Sequence, residues 1–290
     1  MSPLPPPFVT ATDLPGRHPA PVLVDVRWYL DGRSGRDAYE AAHLPGAVFL
    51  DLDHWLAAPD AGPGPRSGAG GRHPLPSPET FAEGLARAGV ADDDHVVAYD
   101  DLGGVVAARL VWLLRASDRP ASLLDGGLRA WDGPVEAGVQ ERARAVREVR
   151  PWPAARLADL DEVADLGATS GVGGGPVLLD ARDAGRYRGD HEPVDPRAGH
   201  VPGAVSAPAS AALLPDGRLR PVAELRAALA AAGVAEGTDV VASCGSGITA
   251  CFTLLLLEHA GLGQGRLWPG SFSAWSRDPA RPVVTGDRPH

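Results

Sequence analysis

Apolar residues fall into short β-branched runs separated by stretches in which they recur at helical spacing. Val22 to Val26, Val96 to Tyr99, Val177 to Asp180 and Asp239 to Ser243 are bounded by Gly, Pro or charge, as strands buried on both faces of a parallel sheet are. Thr80 to Ala88 and Val222 to Ala232 place apolar residues on one helical face before a Gly stop, and Val105 to Leu114 and Ala250 to His259 follow directly on a strand and turn. Strands alternating with helices predict an α/β fold, a mainly parallel sheet flanked by helices, whose ligands gather at the carboxyl ends of the strands.

The pattern occurs twice. VLVDVRW at Val22 matches VLLDARD at Val177, and HLPGAV at His43 matches HVPGAV at His200, at offsets of 155 and 157. AGVADDDHVVAYD at Ala88 then aligns with AGVAEGTDVVASC at Ala232, and LLDGGLRAW at Leu123 with LWPGSFSAW at Leu267, both at 144. The fall in offset marks about a dozen extra residues in the first half, within the Gly/Pro-rich stretch Ala57 to Pro78, which reads as a long loop and carries His73. Two similar domains are expected, residues 1–139 and 156–290, joined by a charged, Pro-containing linker at 140–155.

Composition narrows the chemistry. In 290 residues there is no Lys, so a lysine Schiff base or a P-loop lysine is impossible. A net charge of −10 without an Arg stripe argues against nucleic-acid binding. The longest apolar runs, such as Leu254 to Leu257, fall far below the roughly 20 residues that span a bilayer, and the first residues lack a signal-peptide pattern, so no membrane association and a cytoplasmic location are expected. Two cysteines, Cys244 and Cys251, cannot build a disulfide framework or a thiolate zinc site, and no metal constellation stands out.

DVVAS, CGSGIT and ACFTLLLLEH read as strand, six-residue loop and helix. Gly245 and Gly247 let the loop curl so that its amides point inward, and the helix adds its positive end, so an anion at Cys244 is stabilised. Such surroundings favour the thiolate, the nucleophilic form. A small buried Cys at a strand end is the bland alternative, and Cys251, seven residues on, is read that way. Cysteine phosphatases need an Arg at the position that Ala250 occupies, which disfavours them and leaves sulfur transfer, the thiolate taking up a sulfane sulfur as a persulfide.

CGSGITAC resembles the active-site loop of the two-domain rhodanese family, and its Gly-Ser-Gly form is similar to that of 3-mercaptopyruvate sulfurtransferases rather than of thiosulfate rhodaneses, whose loop carries Arg and Lys. Both HxPGA turns, the DARDAGR stretch from Asp180 to Arg186, and the endings Gly126 to Trp131 and Gly270 to Trp275 carry the resemblance along almost the whole chain. It implies tandem rhodanese-like domains, the second catalytic; Asp100 aligns with Cys244 and leaves the first half without a nucleophile. The resemblance assigns Cys244 as nucleophile, Gly245, Gly247, Ile248 and Thr249 to the substrate cradle, Arg186 and Arg197 to the substrate carboxylate, and Ser246, His73 and Asp53 to a proton relay that reaches the catalytic loop from the first half's insertion. Arg197 sits at a spacing that departs from the family's. No cofactor is implied beyond the covalent persulfide. A small anionic sulfur donor, a thiol or thioredoxin-like acceptor (or cyanide) and a monomer are expected. Thiosulfate as donor, and a non-catalytic persulfide carrier, are the alternatives.

Overall fold

The computed structural model describes residues 3–14, 19–59, 70–169 and 175–290, so the centre of the first-half insertion, residues 60–69, lies outside them. The chain forms two compact units: residues 1–58, 76–153 and 213–219 make the first, and residues 59–75, 154–212 and 220–290 the second. The stretch 140–155 divides between them rather than standing apart. Up to Pro153 it belongs to the first unit, where Ala145 N–H donates to Ala86 O at 2.9 Å and Arg144 pairs with Glu83 at 2.6 Å.

The first unit holds a parallel sheet of strands β1 (Phe8–Val9), β2 (Val22–Asp25), β3 (Val48–Phe49), β4 (Val96–Tyr99) and β5 (Ala121–Leu124), in the order β1-β5-β4-β2-β3. Its helices are α1 (Gly35–Ala41), α2 (Pro78–Arg87) and α3 (Ala108–Ala116). The second unit holds β6 (Val177–Asp180), β7 (Val205–Ser206), β8 (Val240–Ser243) and β9 (Arg266–Leu267) in the order β7-β6-β8-β9, again all parallel, with α4 (Leu160–Thr169), α5 (Ala184–Arg188), α6 (Val222–Ala231), α7 (Thr249–His259) and α8 (Ser271–Arg277). The central pairings repeat residue for residue: Val22 faces Val96 and Asp25 faces Tyr99, as Val177 faces Val240 and Asp180 faces Ser243.

The central strands β4, β6 and β8 are buried along their whole length, as the unbroken apolar runs require. α3 is buried at all nine positions and α7 from Ala250 to Leu257, so each lies inside its unit and shows no polar stripe. Local signals set the ends. The Ser77 hydroxyl accepts from Thr80 N–H with Pro78 at the first helical position of α2, and Gly89 leaves that helix at φ +69°. The Asp183 side chain accepts from Arg186 N–H to start α5, and Gly189 at φ +83° stops it one turn later. α3 begins at Ala108 rather than at the expected Val105, because Val106 and Ala107 N–H bond the Asp100 carboxylate.

In both units an Asp at the end of the second-from-edge strand grips the Arg two residues on: Asp25 holds Arg27, which donates to Ala42 O at 2.6 Å, and Asp180 holds Arg182, which donates to Gly199 O at 2.7 Å. The Pro-Gly turns are braced alike, His43 stacking on Tyr39 at 4.2 Å and His200 on Tyr187 at 3.7 Å, each His Nδ1 bonding the carbonyl of its Tyr partner. No helix among the described residues is long and apolar enough to cross a membrane.

Candidate active site

β8 ends at Ser243, and the next residue, Cys244, opens the loop that leads into α7. Cys244 is buried at 3% exposure, at the carboxyl edge of a central strand and the amino end of an eleven-residue helix, where unpaired amides favour negative charge. Gly247 closes the curl. Its φ of +81° is open to glycine and costly for other residues, and it turns the Gly247 N–H onto Cys244 Sγ at 3.1 Å. Cys251, in the first turn of α7, donates from Sγ to Gly247 O at 3.3 Å and so braces that peptide, a structural part in keeping with its full burial. Ile248 is buried at the helix cap, and Thr249 is its first residue.

A second segment holds the loop from below. Phe272 N–H donates to Cys244 O and Ser273 N–H to Gly245 O, each at 2.9 Å. Ser271, at φ +51°, accepts from Cys244 N–H at 3.1 Å and donates to Trp268 O at 3.0 Å. A residue with a side chain held left-handed costs of order 1–2 kcal/mol, and here the strained residue aims its hydroxyl at the backbone of Cys244. Sequence analysis gave Ser271 no part of its own; its positive φ depends on the packed segment.

His73 enters the same unit from the insertion. Its Nδ1 shares a hydrogen bond of 2.8 Å with Ser246 Oγ, both residues being buried. Arg186 lies in the last turn of α5, its Nε and Nη2 bound to Glu192 at 3.1 and 2.7 Å and its Nη2 also to Asp195 at 3.1 Å. Burial works against the Glu192 carboxylate, but the Arg186 guanidinium and the N–H groups of Asp195 and Val194 outweigh it and hold its pKa below the ordinary value, whereas burial leaves that of Asp195 raised. Arg182 is spent on Asp180, on Gly199 O and against the Phe272 ring, 3.9 Å from its centroid. Among the described residues no cluster of three or more His, Cys, Asp or Glu could hold a metal ion.

A cysteine sulfur under an amide and a helix end, a hydroxyl–imidazole pair and a guanidinium together suit covalent transfer from a small anion. Comparison with known proteins agrees with this architecture. The model of the rhodanese-like domain matches residues 11–133 and again residues 161–278. The chain belongs to the rhodanese-like family. This rhodanese-like chain is 42% identical over 287 residues to a Pseudomonas aeruginosa protein named "Probable 3-mercaptopyruvate sulfurtransferase", spanning 97% of this chain and 98% of that one. It is 40% identical to SseB of Mycobacterium tuberculosis, named for thiosulfate sulfurtransfer, over 96% of this chain and 97% of the other. Among solved structures, the 3-mercaptopyruvate sulfotransferase SseA of Escherichia coli superposes with a TM-score of 0.75 at 30% identity, covering 91% of this chain and 98% of that one.

Within this rhodanese-like chain the structure brings Cys244, Ser246, Gly245, Gly247, His73 and Arg186 together in the second unit and gives Arg197 a different set of partners. Arg197 caps α8: its Nε donates to Ser276 O, its Nη1 to Arg281 O and its Nη2 to Trp275 O and Asp278 O, at 2.6 to 3.0 Å. Carbonyls at a helix C-terminus attract a cation, and this fork is too fully spent on them to clamp a substrate carboxylate as well. Asp53 stands in the short helical turn Leu52–Leu56 of the first unit, where its Oδ2 accepts from Trp28 Nε1 at 2.9 Å. Arg72, which sequence reasoning passed over, lies at the loop: a methyl group placed on Gly245 would come within 3.0 Å of Arg72 Nη2 and 3.5 Å of Arg186 Nη1. Its only signal was its place beside His73.

Proposed function

We propose that this protein is a sulfurtransferase that takes a sulfane sulfur from 3-mercaptopyruvate onto Cys244 and passes it to a thiol. The observation that carries the reading is the Gly247 N–H on Cys244 Sγ at 3.1 Å, at the head of α7, beside the Ser246–His73 hydrogen bond. The Cys244 thiolate attacks the donor sulfur; the carbon–sulfur bond breaks and its electron pair passes to the three-carbon fragment as the enolate of pyruvate. The donor's thiol proton passes through the Ser246–His73 pair to the enolate carbon and completes pyruvate, and Cys244 is left as a persulfide whose negative outer sulfur the loop amides stabilise. A thiolate acceptor, small or on a thioredoxin-like protein, then attacks that outer sulfur, and the Cys244 thiolate leaves. The cycle needs no cofactor and is proposed to run in the cytoplasm, on a monomer.

The Ser246–His73 pair favours a carbon leaving group, since an enolate must be protonated and departing sulfite need not be. Arg186 can hold the carboxylate. The absence of Arg and Lys from the loop itself supports the same donor. Thiosulfate, whose sulfur would reach Cys244 with sulfite leaving, is the second reading, supported by the designation of the mycobacterial relative. Intact mass after incubation with each donor should show the protein heavier by one sulfur atom, the gain absent from Cys244→Ser and removed by a thiol. No gain from either donor overturns the proposal, and comparison of kcat/KM ranks the two donors.

A further inference from the structure

Arg197 is spent on the carbonyls around the end of α8, which leaves Arg186 as the expected carboxylate ligand at the Cys244 loop. A second cation, Arg72, stands at the same loop. Arg72 N–H donates to Ser273 Oγ at 3.0 Å, which seats its backbone against the start of α8, and Arg72 Nη1 pairs with Asp195. The Asp195 side chain, 2% exposed, also accepts from Arg186 Nη2, so one buried carboxylate ties two guanidinium groups together. The hydrogen bonds then account for Arg186 Nε and Nη2 and for Arg72 Nη1, while Arg186 Nη1 and Arg72 Nη2 have no acceptor among the described residues. Both lie at Gly245, the residue after Cys244, with Arg186 Nη2 beside them: a Cβ there would stand 3.0 Å from Arg72 Nη2, 3.5 Å from Arg186 Nη1 and 3.6 Å from Arg186 Nη2. Both side chains keep some exposure, so an anion has access to them.

We propose that Arg72 is the second anion-binding residue of the Cys244 site, forming with Arg186 a two-guanidinium clamp, tied by Asp195, that holds the carboxylate or sulfonate end of the sulfur donor beside Gly245. The inference rests on the sulfur-transfer reading above and names the residue that sets its donor range. Asp195 and Glu192 neutralise the two guanidinium groups, so they stand side by side without mutual repulsion and meet the anion already oriented. A side chain at position 245 would press on Arg72, which is a reason for glycine there beyond backbone freedom. Thiosulfate, a dianion with three terminal oxygens, uses both arms more fully than a single carboxylate, so its dependence on Arg72 is the steeper.

Steady-state kinetics of the full chain with both donors tests the clamp in wild type, Arg72→Ala, Arg72→Lys and Arg188→Ala, the last removing an exposed arginine that pairs with Asp190. KM is expected to rise about 10- to 100-fold in Arg72→Ala, more for thiosulfate than for 3-mercaptopyruvate, with kcat within about threefold, an intermediate KM in Arg72→Lys and no change in Arg188→Ala. An Arg72→Ala KM within about twofold of wild type for both donors overturns the clamp. Protection of Cys244 from iodoacetamide by pyruvate or by inorganic sulfate needs no turnover: wild type is expected to be protected and Arg72→Ala not, and equal protection in both also overturns it. A wild type that pyruvate protects but that accepts sulfur from neither donor overturns the sulfurtransferase reading and leaves the anion clamp standing.

Discussion

After β4 the chain enters a loop at Asp100, and after β8 it enters the equivalent loop at Cys244. The two backbones agree at a few points and part at others: Gly104 is left-handed at φ +91° where Ile248 is at −82°, and Gly126 is at +78° where Gly270 is at −61°. Gly103 and Gly247 are left-handed at φ +77° and +81°, as are Gly127 and Ser271 at +54° and +51°. Leu128 N–H meets Asp100 O at 2.8 Å where Phe272 N–H meets Cys244 O at 2.9 Å. The occupants differ. Asp100, fully buried, draws N–H groups of Leu102 and Gly104 to one carboxylate oxygen and of Val106 and Ala107 to the other, at 2.7 to 2.8 Å. Burial raises its pKa, and those four amides hold back part of the rise. In the first unit the anion cradle is therefore filled for good by the chain's own carboxylate. In the second, a single amide, Gly247 N–H, meets a sulfur instead, Cys244 Sγ at 3.1 Å. A Cβ on Gly127 would stand 2.3 Å from Asp100 O, so the first unit also lacks the side chain that Ser271 offers to Cys244 N–H.

The largest effect should separate the two loops outright. Cys244→Ser is expected to lower sulfur transfer by more than about a thousandfold, and adding Asp100→Cys to that variant should not restore uptake, because the first loop has Leu102 where the second has Ser246. Sulfur gained by the double variant, read by intact mass, would break the contrast. Next comes stability. Asp100→Ala leaves four buried amides without their acceptor and is expected to cost about 3–5 kcal/mol in urea unfolding, against about 1–2 kcal/mol for Cys244→Ala. Equal costs would mean that the carboxylate is no structural plug.

Smaller effects sharpen the same pairing. Gly247→Ala and Gly103→Ala both force a left-handed alanine, worth about 1–2 kcal/mol of stability each. A methyl on Gly247 also meets Pro269 O at 2.7 Å and displaces the amide from Cys244 Sγ, so only Gly247→Ala should cut kcat/KM, by about 10- to 100-fold, in donor assays on both proteins. The smallest concerns pH. Because the Glu192 carboxyl is held below its ordinary value of 4.5 in the fold, the stability it contributes is complete above that value and is lost as pH falls through the lowered one. Urea midpoints measured from neutral to acid pH should therefore fall more steeply in wild type than in Glu192→Gln, and parallel curves would show that Glu192 adds nothing to the network around Arg186.

Much of this was legible in the order of residues. The buried runs at Val96 and Val240, the glycine stops at Gly89 and Gly233, the duplication and the curl around Cys244 follow from local sterics and from the need to bury apolar surface, which act through neighbours in the chain. The start of α3 was misplaced by three residues because a carboxylate upstream competes for the amides of its first turn. Arg197 and Arg72 are harder cases. Both are arginines in polar loops, and composition cannot tell which of them meets helix carbonyls and which meets the nucleophile's loop.

By itself, then, the amino-acid order settled the two-fold α/β pattern and the class of chemistry, since both rest on backbone conformation, burial and local motifs, and it singled out Cys244 as the expected nucleophile. Only the tertiary structure decided which arginine faces Gly245, that Ser271 carries the strain beneath Cys244, and that His73 reaches Ser246 from 173 residues away. Those assignments depend on long side chains with several possible partners of similar energy. Which partner wins is set by the packing of segments distant in the chain.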